Sequence, residues 1–141
     1  ATDLLAETKV APELSNEAHY YRAKAYLDAG KVEGAMDDLK ILAKDTRNIY
    51  GAEAKYKVAQ IYFDAGQTGQ AEKEVLDYIE VSTPHTYWLA RSFVLLSDVY
   101  MKLGRNLDAK QYLLSLKQNY QADDDIAGMI ESRLNKLNAE N

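Results

Sequence analysis

The chain is 141 residues long, 47% hydrophobic and 28% charged, with a net charge of −5. That is one domain's worth of sequence, enough to bury a continuous core, and its acidic balance argues against nucleic acid, whose phosphates need clustered Lys and Arg. Cysteine is absent, which excludes disulfides and thiolate metal sites. The longest apolar run, Phe93-Val94-Leu95-Leu96, falls far short of the ~18 residues of a membrane helix, so no direct membrane insertion is expected.

Residues 1–12 come first. Ala1 and Leu5 carry the same four-residue spacing as Ala35 and Leu39. This predicts the end of an earlier helix, truncated here, and hence a piece of a longer repeat protein. An edge left open in this way would expose apolar surface, which leaves homo-oligomerisation through the N-terminal edge open as one alternative.

A first helix is predicted from Asn16 to about Ala29, capped by Ser15 or Asn16. Gly30 ends it, where a left-handed backbone costs glycine nothing. A second helix follows from Val32 to Lys44, with Ala35, Leu39 and Leu42 as its inner stripe. The pattern then returns. Asn16–Ala35 and Ala52–Ala71 share nine identities, among them Ala23/Ala59, Tyr26/Tyr62, Gly30/Gly66 and Ala35/Ala71. A more divergent third copy has Ser97, Tyr100, Gly104, Ala109 and Leu113.

The glycines are 36 and 38 residues apart, a period that marks a solenoid of helix pairs. Repeats are assigned to 16–51, 52–89 and 90–123. Small residues Ala23, Ala59 and Ser97 should face Ala35, Ala71 and Ala109 to let paired helices cross closely. Tyr50 and Trp88, with Leu14 as the counterpart in repeat one, are expected two residues before each first helix, stapling one repeat to the next. Thr83-Pro84-His85 accounts for the longer interval as a loop. Residues 124–138 form a last amphipathic helix that caps the array, with Asp123-Asp124-Asp125 at its positive end.

No catalytic motif is present, so an enzyme is not expected, nor is a metal or a cofactor. His19 and His85 stand far apart, and the Asp run lacks the EF-hand spacing. Gly66-Gln67-Thr68-Gly69 lacks the ending of a phosphate loop. Asp37, Glu72 and Glu74 read as solvated outer-face charges.

The recurring small residue, aromatic, glycine, alanine and aliphatic residue resemble the tetratricopeptide repeat (TPR). The resemblance covers about residues 16–123. It departs where that family has Trp, a position held here by His19, Lys55 and Phe93, and in its longer period. It implies an all-α, right-handed α-solenoid of three TPR-like helix hairpins plus a C-terminal capping helix. The long intervals are similar to those of TPR proteins of the Gram-negative cell envelope. That implies a periplasmic or envelope-associated scaffold, with a cytoplasmic one as the alternative.

The family binds partners in a concave groove lined by first helices. Carried over residue by residue, the resemblance implies a groove of Tyr20, Lys24, Leu27, Tyr56, Gln60, Phe63, Arg91, Asp98 and Met101, flanked by Glu17, Asp28, Glu53, Asp64, Val94 and Lys102. The expected partner is a protein or peptide. Carboxylates outnumber cations in this set, so an acidic peptide is not the obvious ligand. The Lys and Asn with which some members grip a chaperone's C-terminal carboxylate are absent. Two other roles stay open: extending and capping a longer solenoid, and docking a catalytic domain that lies elsewhere.

Overall fold

The computed structural model describes residues 14–81 and 83–139, so the reading made for 1–12 lies outside the described residues. Among these the chain is all helical, without a strand. The helices are α1 (Asn16–Asp28), α2 (Val32–Leu42), α3 (Ile49–Asp64), α4 (Thr68–Glu80), α5 (Thr86–Lys102), α6 (Asn106–Asn119) and α7 (Ile126–Ala139).

The three glycine turns are copies of one another. Gly30, Gly66 and Gly104 have φ of +76°, +79° and +77°. Each glycine N–H donates to the carbonyl three residues back (Leu27, Phe63, Met101). The next N–H donates to the aromatic residue's carbonyl (Tyr26, Tyr62, Tyr100). These two bonds satisfy carbonyls that a helix end leaves open. A side chain at such a φ costs about 1 kcal/mol or more, which is why the sequence keeps glycine there.

Each helix packs on the next. In addition α1, α3, α5 and α7 touch in succession, whereas α2, α4 and α6 make no contact with one another. The six small residues expected at the crossings are each exposed by 1% or less. The core falls into two clusters that share α3. Ala54 and Val58 join Ala23, Ala35, Leu39 and Leu42. Tyr56 and Ala59 join a larger cluster that runs through Leu95, Leu96 and Leu113 to Ile126, Ile130, Leu134 and Leu137. The stripe of α7 is thus buried, as its amphipathic pattern predicts.

Three helix starts differ from expectation: α7 begins at Ile126, two residues late, and the other two come early. α3 begins at Ile49 and α5 at Thr86, three and four residues earlier than predicted. Asn48 sets the first, its side chain accepting the Gly51 N–H at 2.8 Å. Tyr50 and Trp88 therefore lie within the first turns rather than ahead of them. They still join successive repeats: Tyr50 packs on Tyr20 with centroids 4.9 Å apart, and Trp88 on Tyr56 at 5.6 Å. Gly51 is needed for close approach, because a Cβ there would lie 1.9 Å from the Asp45 carbonyl oxygen. The longer second interval is taken up by α4, which has 13 residues against 11 in α2, and not by a longer loop. The second link packs back on the first: Thr83 Oγ1 donates to the Thr46 carbonyl at 2.7 Å, and His85 Nε2 to that of Arg47 at 3.0 Å.

The place held by His19, Lys55 and Phe93 is filled in three ways. In the first pair of helices His19 Nδ1 donates to Asp38 Oδ1 at 2.7 Å, and Arg22 grips both oxygens of the same carboxylate at 2.7 and 2.8 Å. Asp38 is 1% exposed. The Arg22 guanidinium holds it below the usual carboxylate range against its own burial, with His19 adding to the effect. In the second pair Lys55 Nζ reaches Glu74 at 3.0 Å and Asp77 at 2.6 Å. Burial pulls this ammonium down, but the two carboxylates outweigh it and leave the pKa raised. In the third, Phe93 packs on Tyr112 with centroids 6.1 Å apart. Glu74 is therefore a bonded partner rather than a solvated charge. So is Glu72, which lies 3.9 Å from Arg105 and, after burial, helps push the Tyr100 hydroxyl up to about 12.

Candidate functional site

The helices that touch in succession, α1, α3 and α5, carry every residue the resemblance assigns to a groove. They are brought together in two places and bonded into a ladder elsewhere.

On α1 and α3 the ladder is polar. Tyr20 Oη donates to both Glu53 oxygens at 3.1 and 3.2 Å, and the Lys24 ammonium lies 5.3 Å above the Tyr20 ring. Burial and then Glu53 raise the Tyr20 pKa, keeping its proton on the phenol. Glu53 is also paired with Lys57 at 2.9 Å. Leu27 is half-buried against the first core cluster. On α3, Tyr56 Oη donates to Gln60 Oε1 at 2.8 Å, and Gln60 Nε2 donates to Asp64 Oδ1 at 2.8 Å. One turn of helix separates each pair, the spacing at which helical side chains meet.

Tyr56, Gln60, Arg91, Val94 and Asp98 line a narrow cleft of about 110 Å³ between α3, α5 and α7. Tyr56 is only 8% exposed and Val94 3% exposed, so both serve mainly as packing. Arg91 stacks over Tyr56 at 5.3 Å and over Trp88 at 5.9 Å. It donates to Tyr87 Oη at 3.0 Å, and Tyr87 in turn donates to Asp125 at 2.9 Å. Trp88 is packed between these groups.

Phe63, Asp98, Met101 and Lys102 line a second, larger pocket of about 480 Å³, completed by Asn106 of α6 and Lys136 of α7. Phe63 and Met101 are half-buried, packed against the larger core cluster. Asp98 is held by the Arg133 guanidinium in a two-pronged grip at 2.7 and 2.9 Å. Glu17 and Asp28 are exposed on α1, outside these two pockets.

Reading first helices alone misses the contribution of α7. Met129, Arg133 and Lys136 line the two pockets, and Asp125 anchors Tyr87. The signal was in the closing helix, where Met129, Arg133 and Lys136 recur at spacings of four and three, beside the buried stripe. The Asp run has the capping role expected of it: Asp124 Oδ1 accepts the Ile126 N–H at 2.9 Å.

Among the described residues no group of His, Asp and Glu is arranged to hold a metal ion. No helix there is long and apolar enough to cross a membrane. A scan against protein-family models finds no match, and a search of curated proteins finds no relative.

Proposed function

We propose that the chain is a TPR-like right-handed α-solenoid, three helix hairpins closed by α7, that acts as a non-catalytic protein-interaction scaffold. An extended or helical segment of a partner would lie along α1, α3 and α5. The observation that carries this reading is the 480 Å³ pocket, where Phe63 and Met101 stay partly exposed on helices that meet as successive first helices. Half-buried aromatic and Met side chains beside a cleft suit an anchoring residue of a partner. Service in a bacterial envelope complex follows from the resemblance in repeat length, in the aromatic near each new first helix and in the closing helix.

The test is a pull-down from envelope and cytosol extracts, comparing the native chain with Phe63→Ala/Met101→Ala. Circular dichroism must show the variant folded. A protein captured by the native chain and lost with the variant supports the groove and reports the compartment. Capture of the same proteins by both removes it.

A second reading is that this region caps a longer solenoid. What favours it is that Arg133 of α7 donates to Asp98 of α5 and that Asp125, just before α7, accepts from Tyr87 of α5, so that both occupy polar groups a ligand would otherwise meet.

A further inference from the structure

The count of charges along the first helices points away from an acidic ligand, but the charges at the 480 Å³ pocket point the other way. Glu53 is engaged by Tyr20 and Lys57, Asp64 by Gln60, and Asp98 by Arg133. Asp98, the one carboxylate lining the 480 Å³ pocket, is thus already neutralised by a two-pronged guanidinium. Two ammonium groups line the same pocket, Lys102 from the end of α5 and Lys136 from α7. Both are exposed, and neither forms an ion pair or hydrogen bond with the described residues. The partly buried Phe63 and Met101 give the same pocket its apolar lining. A net positive rim around an apolar floor selects for an apolar side chain flanked by carboxylates.

Resting on the groove reading above, we propose that this pocket anchors an acidic partner segment, with an apolar side chain on Phe63 and Met101 and adjacent Asp or Glu at Lys102 and Lys136. The positive rim exists only where α7 meets α5, so α7 contributes to recognition as well as covering the core. Specificity would then sit at the C-terminal end of the groove, because around Tyr20 and Tyr56 the polar groups are already bonded to one another.

The test is selection of a displayed random peptide library on the immobilised full chain. Enriched peptides are then located by amide chemical-shift mapping. The expected outcome is enrichment of sequences with Asp or Glu beside a large apolar residue, shifting the amides of Phe63, Met101, Lys102 and Lys136. Lys102→Gln/Lys136→Gln should weaken such a peptide by about 5-fold, as loss of two exposed ion pairs predicts, with the remaining affinity less sensitive to salt. Replacing the peptide's acids by Gln should match that loss on the native chain and add little on the double variant. Peptides that map to α1, α3 and α5 but lack acids, or carry Lys and Arg, would overturn the acidic anchor while leaving the groove standing. Peptides that map only to α2, α4 and α6, or no enrichment at all, would overturn both.

Discussion

The first two repeats and the third solve one packing problem with different chemistry. His19 with Asp38, Lys55 with Glu74, and Phe93 with Tyr112 stand at corresponding places, one on the first helix and one on the second. Two are charge pairs and one is a pair of rings. The glycine turns and small crossing residues around them barely differ. The backbone of the repeat is therefore set by Gly, Ala and Ser, and the contact beside the crossing is free to be ionic or aromatic. The ionic versions carry a liability that the aromatic one lacks: removing one member strands the other in a buried site. The links differ too. The first brings the Asp45 carbonyl against Gly51, whereas the second accommodates Leu89 at the matching position.

The link comparison gives the largest expected effect. Gly51→Ala puts a methyl into a backbone carbonyl, so a loss of about 4 kcal/mol or failure to fold is expected in denaturant titration. Leu89→Ala at the matching place should cost no more than about 2 kcal/mol. Equal effects would remove the distinction between the links.

Next comes the first ion pair. Asp38→Asn should destabilise by about 3 kcal/mol, the low end for a broken buried pair, because Arg22 is half-exposed and can rehydrate. The same titration measures it, and a cost under 1 kcal/mol would mean that the triad contributes little.

A graft sharpens the comparison further. Lys55→Phe/Glu74→Tyr/Asp77→Ser gives the second repeat the contact of the third. Replacing buried ions by packed rings is often neutral, so the melting temperature should stay within a few degrees, a change of about 1 kcal/mol. Lys55→Ala alone should cost about 2 kcal/mol, since it leaves both carboxylates without their cation.

The smallest effect is a pH dependence. Asp38 titrates below its ordinary value in the fold. Its stabilisation is therefore complete above the unfolded carboxylate pKa of about 3.9 and is lost as pH falls through the lower folded value. Amide exchange should show the first repeat loosening below about pH 4 before the Phe93–Tyr112 contact does. Simultaneous loosening would show that the pair does not set the local acid stability.

The helices, their glycine ends and the small residues were legible because each depends on local chemistry repeated three times. The α3 start was legible only in part: Asn48 is a good cap, but the aligned identities drew the boundary to Ala52. Asp38 was missed because it follows Asp37, and a pair of acids reads as surface. Its spacing was the available signal. It lies three residues after Ala35 and four before Leu42, on the inner stripe itself. The groove residues were placed on the right helices, but sequence could not tell that Tyr56 is covered while Phe63 stays half-open. Nor could it say which charges are already paired. The pairing of Asp98 in particular depends on α7, which reaches α5 from 35 residues along the chain to place Arg133 on it.

Every contact between one helix pair and the next runs through the leading helix of the later pair: α3 meets both α1 and α2, α5 both α3 and α4, and α7 both α5 and α6. Each leading helix is therefore wedged against two helices at once, like a log resting on the pair beneath it. Tilting it either way breaks contacts on one side or the other, so the path of the stack is held by packing and not only by the turns that join the helices.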